Sequence, residues 1–351
     1  MRDLQVEILA VATAVPDHSV QQEEVLERAK KVFPFLGRLD GIYSNTGIDT
    51  RYSCEHPDWY HTEHGWEERT DVFQRHALDL LERVAIEAVE RAGLGLRDID
   101  AIVTNTITGL AIPSLDAMLC NRIDFREDIQ RLPIFGFGCG GGVAGIARSA
   151  QLAQSMPGAN VLFLTVDLCT LCLRPNDQSV GMYVSAALFG DGAAGLVLRA
   201  RNGGGASPGA LGSIQAVGDH FWRDSERIMG WDIKDDGFGV VLSPQLPALL
   251  RDELPRAVTR FLVRHDLTLE AFAGFLFHPG GRKILETVEA ALGISREKLI
   301  HSWETLRRYG NMSSATALFV LKGAIEAGAS GRHLVAAFGP GFSAYFVVAD
   351  L

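Results

Sequence analysis

The sequence predicts an α/β protein in which helices cover sheets and one strand–helix order is used twice. Three observations carry this. Apolar runs of strand character alternate with segments of helical period along the whole chain. A strand turns through glycines into a helix at residues 133–145, and a polar, glycine-flanked turn into a helix recurs from Asn311. The order strand, helix, strand, nucleophile-type helix, strand, strand then occurs about twice. At 351 residues and 47% hydrophobic content, the chain can hold two domains or one duplicated unit around a large core.

Residues 6–15 read as a first strand, ended by Pro16-Asp17, and residues 21–32 as a helix. Residues 36–70 are loop-rich. His61, Glu63 and His64 there hint at a metal, but they stand among Pro, Asp and Gly without the ordered spacing of ligands, so no metal is expected. Residues 71–92 form an amphipathic helix: Leu78, Leu81, Ala85, Ala88 and Ala92 recur at three and four, and Gly93 fits a C-cap. Residues 101–106 are a strand, 109–114 a turn into another helix, 134–137 the strand before Cys139, and 141–156 the helix after it. Residues 160–167 are a buried-type strand. Phe189-Gly190-Asp191-Gly192 is a tight turn before the strand 193–198, and residues 201–208 are a surface loop.

The second half repeats the pattern. Residues 247–265 are helical, 274–278 a strand, and 282–292 a helix. Asn311 opens a helix running to about residue 327. The strand 334–338 turns through Gly339-Pro340-Gly341 into the last strand, 344–349.

Composition excludes several classes. A net charge of −10 argues against a nucleic-acid partner. No stretch approaches the roughly 18 apolar residues of a membrane span. The first residues lack the basic region and apolar core of a signal peptide. Five cysteines in a chain this long suit a reducing cytoplasm rather than a disulfide framework.

The chemistry gathers at three places. Cys139 sits where a strand turns into a helix, among free N–H groups and the positive dipole end, which lowers a thiol pKa. His278 lies in Phe277-His278-Pro279-Gly280-Gly281, and Asn311 in Tyr309-Gly310-Asn311-Met312-Ser313-Ser314. An imidazole holds a cysteine as thiolate, and His and Asn together donate to an oxyanion. Each also has a plainer reading: a buried cysteine, a structural histidine, a helix N-cap.

These segments resemble the thiolase superfamily, and most closely the type III polyketide synthases, over nearly the whole chain. The resemblance rests on Gly138-Cys139-Gly140-Gly141-Gly142, Leu188-Phe189-Gly190-Asp191-Gly192, His278-Pro279-Gly280-Gly281, Gly310-Asn311-Met312-Ser313-Ser314 and Phe338-Gly339-Pro340-Gly341. It implies a duplicated thiolase-like fold layered α-β-α-β-α. Residues 1–212 would carry the nucleophile and residues 213–351 the His and Asn. It also implies coenzyme A thioesters as substrates, no metal or redox cofactor, and a homodimer with one active site per subunit. In the implied reaction, Cys139 takes an acyl group, His278 and Asn311 stabilise the enolate left when malonyl-CoA loses CO2, and the enolate attacks the acyl-cysteine.

Pocket candidates follow from the same resemblance. Phe189 matches one gate phenylalanine, and Val240 replaces the other. Cys169 and Cys172 are expected as small apolar wall residues, with Ile112 and Ser313 beside them. The segments at 109–114 and 228–232 look like those of bacterial alkylpyrone and alkylresorcinol synthases. A chain of about ten methylenes would gain roughly 0.8 kcal/mol per buried CH2 in an apolar tunnel. A medium- to long-chain acyl-CoA starter is therefore expected, with two or three extensions. Arg51, Arg282 and Lys283 are the candidates for coenzyme A phosphates. The alternatives are a ketoacyl synthase III-like enzyme making one extension, a cysteine hydrolase using the same trio, and a non-catalytic partner subunit.

Overall fold

The computed structural model describes residues 4–202 and 207–351; residues 203–206 of the expected surface loop lie outside the described residues. In chain order the strands are β1 (Leu4–Ala14), β2 (His18–Gln21), β3 (Thr50–Ser53), β4 (Ile99–Thr106), β5 (Gln130–Phe135), β6 (Asn160–Leu168), β7 (Asp191–Asn202), β8 (Gly212–Phe221), β9 (Met229–Lys234), β10 (Gly237–Leu242), β11 (Gly274–Phe277), β12 (Arg332–Gly339) and β13 (Ser343–Asp350). The helices are α1 (Gln22–Val32), α2 (Gly41–Ser44), α3 (Trp66–Arg91), α4 (Leu115–Leu119), α5 (Gly141–Ser155), α6 (Val180–Leu188), α7 (Leu246–Val263), α8 (Arg282–Leu292), α9 (Ile300–Tyr309) and α10 (Thr316–Glu326).

One nine-stranded sheet runs in the order β11-β12-β13-β8-β1-β7-β6-β4-β5. The seam between its two parts is short: β1 meets β8 through Val6↔Ile214, Glu7↔Ser213 and Ile8↔Gly212. β6 lies inside this sheet, parallel to β4 and antiparallel to β7, which is why all nine of its residues are buried and its sequence reads as a continuous apolar run.

Three cores separate five layers. A central core joins α5 and α10 to residues from both parts of the sheet, among them Val103, Phe163, Leu196, Val335 and Val347. A second packs α3 through Phe73, Leu81 and Val84 on the opposite face of β1, β6 and β7. A third packs α7 and α8 through Leu250, Val258 and Val288 on the other part of the sheet. The result is the layered α-β-α-β-α arrangement expected. Fully burying one such Leu, Val or Phe contributes about 1.5–3 kcal/mol.

The helix expected at 71–92 starts earlier, at Trp66, with Glu67 and Glu68 against the positive helix end. Its first turn lacks an apolar period. Gly93 closes it at φ 67°. α10 starts at Thr316 rather than Asn311, because a 3-10 turn, Ser313–Ala315, intervenes. α6, α9, β8 and the β9–β10 hairpin were not expected. Among these, the hairpin alone had a local signal, Asp236-Gly237 at its turn. No described helix is long and apolar enough to cross a membrane.

Candidate active site

Cys139 sits in a 3-10 turn, Gly138–Gly140, at the mouth of α5. Gly138 has φ 50°, and a Cβ there would stand 2.5 Å from Pro340 Cδ. A Cβ on Gly142 would stand 2.1 Å from Ser314 O. The first glycine makes the turn possible. The second lets α5 touch the loop carrying Asn311.

That loop is tightly held. Asn311 Oδ1 accepts the Ser313 N–H at 2.8 Å, and Asn311 Nδ2 donates to Gly280 O at 3.3 Å. Ser313 is a non-glycine residue at φ 50°, a conformation costing on the order of 1 kcal/mol or more. Behind it, the buried Asp167 accepts from Ser314 N at 2.9 Å, from the Ser314 hydroxyl, and from Ile107 N at 2.8 Å. Phe189 is tied to the same loop: Asn311 N donates to Leu188 O at 2.9 Å and Gly190 N to Asn311 O at 3.0 Å, on either side of it. β11 delivers His278 next to Gly280, and His278 N donates to Ala336 O at 2.7 Å.

The electrostatics differ from the expectation for a helix N-terminus. Burial pushes the Cys139 thiol up to about 11, although the side chains of Ser313 and Asn311 favour its ionised form. Burial also pushes the His278 imidazole down to about 3, and neither ring nitrogen has a hydrogen-bond partner from the protein. Desolvation thus opposes the helix end at Cys139, and burial favours the neutral form of both side chains.

An apolar cavity opens on the thiol. Ile107, Gly138, Cys139, Cys169, Phe189, Met229, Gly230, Trp231, Val240, Val241, Leu242, Ser313 and Pro340 line about 450 Å³ of empty space, counting its open mouth. Phe189, Val240, Cys169 and Ser313, four of the expected pocket residues, are among those lining it. The β9–β10 hairpin supplies the wall that sequence reasoning did not develop, Met229 and Trp231 above all; its segment had been noted only as a likeness.

Three expected residues stand elsewhere. Cys172 is buried beside the cavity, its thiol directed at Thr108 O at 3.8 Å. Ile112 lies on the loop between β4 and α4 and is 98% exposed, so within this chain it does not line the Cys139 cavity. Arg51 is 3% exposed, and both Nη groups of its guanidinium are spent inside the fold. Nη1 donates to Ala186 O at 2.8 Å and Phe189 O at 3.1 Å, and Nη2 to Ala187 O at 2.7 Å and to Gln22 Oε1. It pins the turn that carries Phe189 and is not offered to a phosphate. Arg51→Met should therefore destabilise the protein by roughly 3 kcal/mol, since it strips donors from three buried carbonyls. Chemical denaturation checks this, and a normal melt with a raised KM for the thioester would restore the phosphate role. Arg282 and Lys283 are exposed at the start of α8, and Arg282 pairs with Glu286 at 2.7 Å.

Within the histidine cluster, His64 is structural. His64 stacks on Trp59 at 3.7 Å and pairs with Glu68 at 2.8 Å, and among the described residues no group of three ligands comes together.

Profiles for the N-terminal and C-terminal domains of chalcone and stilbene synthases match residues 3–202 and 213–349. A putative chalcone synthase of Bacillus subtilis (strain 168) is 33% identical over 96% of each chain. A 1,3,6,8-tetrahydroxynaphthalene synthase of Streptomyces peucetius subsp. caesius is 35% identical, over 97% of this chain and 92% of its own. The crystal structure of the tetrahydroxynaphthalene synthase of Streptomyces coelicolor A3(2), a bacterial type III polyketide synthase, superposes with TM-score 0.92 at 29% identity, covering 98% of this chain and 99% of that one.

Proposed function

The chain belongs to the chalcone and stilbene synthase family, the type III polyketide synthases, and on that premise we propose that it extends a medium- to long-chain acyl-CoA with malonyl-CoA to alkylpyrone or alkylresorcinol products. Members of the family are decarboxylating condensing acyltransferases that act on coenzyme A thioesters and need no added cofactor. The observation that carries the finer reading is the cavity wall: Ile107, Met229, Trp231, Val240, Val241 and Leu242 offer an alkyl chain apolar contact beside Cys139.

The roles of the residues follow from their chemistry. Cys139 Sγ attacks the thioester carbon, His278 accepts the thiol proton, and that proton leaves with the coenzyme A sulfur. Neutral His278 is suited to accept it. Malonyl-CoA then loses CO2, and the electrons of the broken C–C bond move onto its thioester oxygen. Asn311 Nδ2 and the ring N–H of His278, neutral again once the proton has left, donate to that oxygen. The enolate carbon attacks the acyl carbonyl and expels Cys139 Sγ, which is ready for transfer of the longer chain. Arg282 and Lys283, at the start of α8 close after His278, are the cations on offer to the coenzyme A phosphates.

We read residues 1–212 and 213–351 as the two thiolase-like halves, and the enzyme as a cytoplasmic homodimer. Its five cysteines are unpaired, as a reducing compartment allows. The pocket role expected of Ile112 can only be exercised on a second copy, and Leu110, Leu132 and Phe135 are exposed on the segments beside it.

The test is product analysis by mass spectrometry with malonyl-CoA and starters from acetyl- to stearoyl-CoA. Long-chain pyrones or resorcinols are expected. The tetrahydroxynaphthalene synthase relatives favour a second reading, a hydroxynaphthalene product with no alkyl starter in it. A naphthalene product formed without any starter would select it. Val240→Phe should reduce kcat/KM for lauroyl-CoA by about tenfold or more while sparing acetyl-CoA, because a ring there takes the space of several methylenes. An equal loss for both starters would remove Val240 from the chain-length wall.

A further inference from the structure

Phe189 is the one residue shared by the linings of two cavities. The second lies between α1, β3 and the 3-10 turn Cys169–Cys172, and holds about 660 Å³ of empty space counting its open side. Its walls are apolar: Val25, Ala29, Val32, Phe33, Leu173 and Ala186.

Beside the hydroxyls of Ser53, Tyr60 and Thr170, its charged and imidazole groups are all basic. Arg28, Arg51, His61 and Arg174 line it, and no carboxylate does, on a chain whose net charge is −10. Arg51 is 3% exposed and Arg174 7%. Both are paired through their Nη groups, Arg174 to Asp177 and Asp236. Yet Arg51 Nε, Arg174 Nε and His61 Nε2 are buried without a hydrogen-bond partner from the protein. Buried polar nitrogens are seldom left so, and these three belong to residues that line one apolar space.

We propose that this cavity binds a medium-chain fatty carboxylate. The alkyl chain lies against Val25, Ala29, Val32 and Phe33, and the carboxylate accepts from Arg51 Nε–H and Arg174 Nε–H, with His61 beside them. A carboxylate fits because it is acceptor-only and takes several donors at once. An occupant rests on one side of Phe189 while the acyl-enzyme rests on the other. Filling the second cavity therefore holds the ring toward Cys139 and narrows the catalytic cavity, so a fatty acid limits the starter that the enzyme accepts. This consequence rests on the reading of the Cys139 cavity given above; the binding does not.

The test is calorimetric titration of the full-length protein with decanoate, after Cys139 has been alkylated with N-ethylmaleimide to block the catalytic cavity. Decanoate should still bind. Decanol should bind at least about tenfold more weakly, the discrimination that one hydrogen bond to a charged group supplies. Ala29→Phe, which fills the wall of α1, should weaken decanoate by a similar factor and leave condensation of malonyl-CoA unchanged. Val25→Trp at the half-buried edge serves if Ala29→Phe does not fold. Loss of binding on alkylation, equal binding of decanol, or full affinity in the filled variant would each overturn the site. Failure of the wild type to make polyketide would instead count against the catalytic reading and leave the titration interpretable.

Discussion

Cys139→Ala abolishes acyl transfer and leaves decarboxylation. The variant should form no covalent acyl-enzyme by intact mass and should lose polyketide formation by a factor on the order of 10⁴ to 10⁶, as removal of a covalent nucleophile does elsewhere. No other thiol takes over. Cys169 shares the cavity, but burial and the nearby Asp167 and Asp191 hold its proton well above the usual thiol range. His278 and Asn311 remain, so malonyl-CoA should still be converted to acetyl-CoA and CO2. The separation is the informative part. Retained polyketide would show that Cys139 is not the nucleophile. Loss of decarboxylation along with transfer would show that the thiol is needed to polarise malonyl-CoA.

Asn311→Asp is expected to cost the decarboxylation step about 10² to 10³-fold, the usual cost of losing one oxyanion donor. The substitution is chosen for what it keeps. A carboxylate oxygen can still accept the Ser313 N–H that Asn311 Oδ1 accepts at 2.8 Å, so the loop at its positive φ stays supported. The Nδ2 donor is lost. Measured in the Cys139→Ala background, the effect cannot come through a change in the thiol. A wild-type rate of CO2 release in the double variant would exclude Asn311 from stabilising the enolate. A large drop in thermal stability would mean that Gly280 O depends on the amide more than on the loop.

The candidate site was legible where chemistry is local. Cys139, His278 and Asn311 each stand among glycines that mark a sharp turn, and a sharp turn with a reactive side chain can be read from a few residues. The alternation of layers was legible for the same reason, since α3 and β6 announce themselves by period and by continuous apolarity. What was not legible depends on residues far apart in the chain. The three carbonyls that consume Arg51 lie about 135 positions away, at Ala186, Ala187 and Phe189. The upward push on the Cys139 thiol comes from its burial in the folded chain, which no local motif reports. Ile112 and Cys172 missed the cavity because one residue's direction off a loop decides which space it lines. The β9–β10 wall was readable from Asp236-Gly237, and the alternation around it was not followed.

The nine-stranded sheet has a consequence for how the enzyme counts. β1 and β8 tie the part carrying Cys139 to the part carrying His278 and Asn311, so the catalytic frame has no hinge of its own between them. In the proposed reaction, each round of extension therefore meets the same nucleophile, donors and gate. Nothing in that frame records how many rounds have passed. Termination must then come from the growing chain itself, when it no longer fits the fixed chamber and folds back on its own carbonyls. In such a device the stopping point is a volume rather than a signal, and it moves with the starter: each carbon brought in at loading is one fewer that can be added.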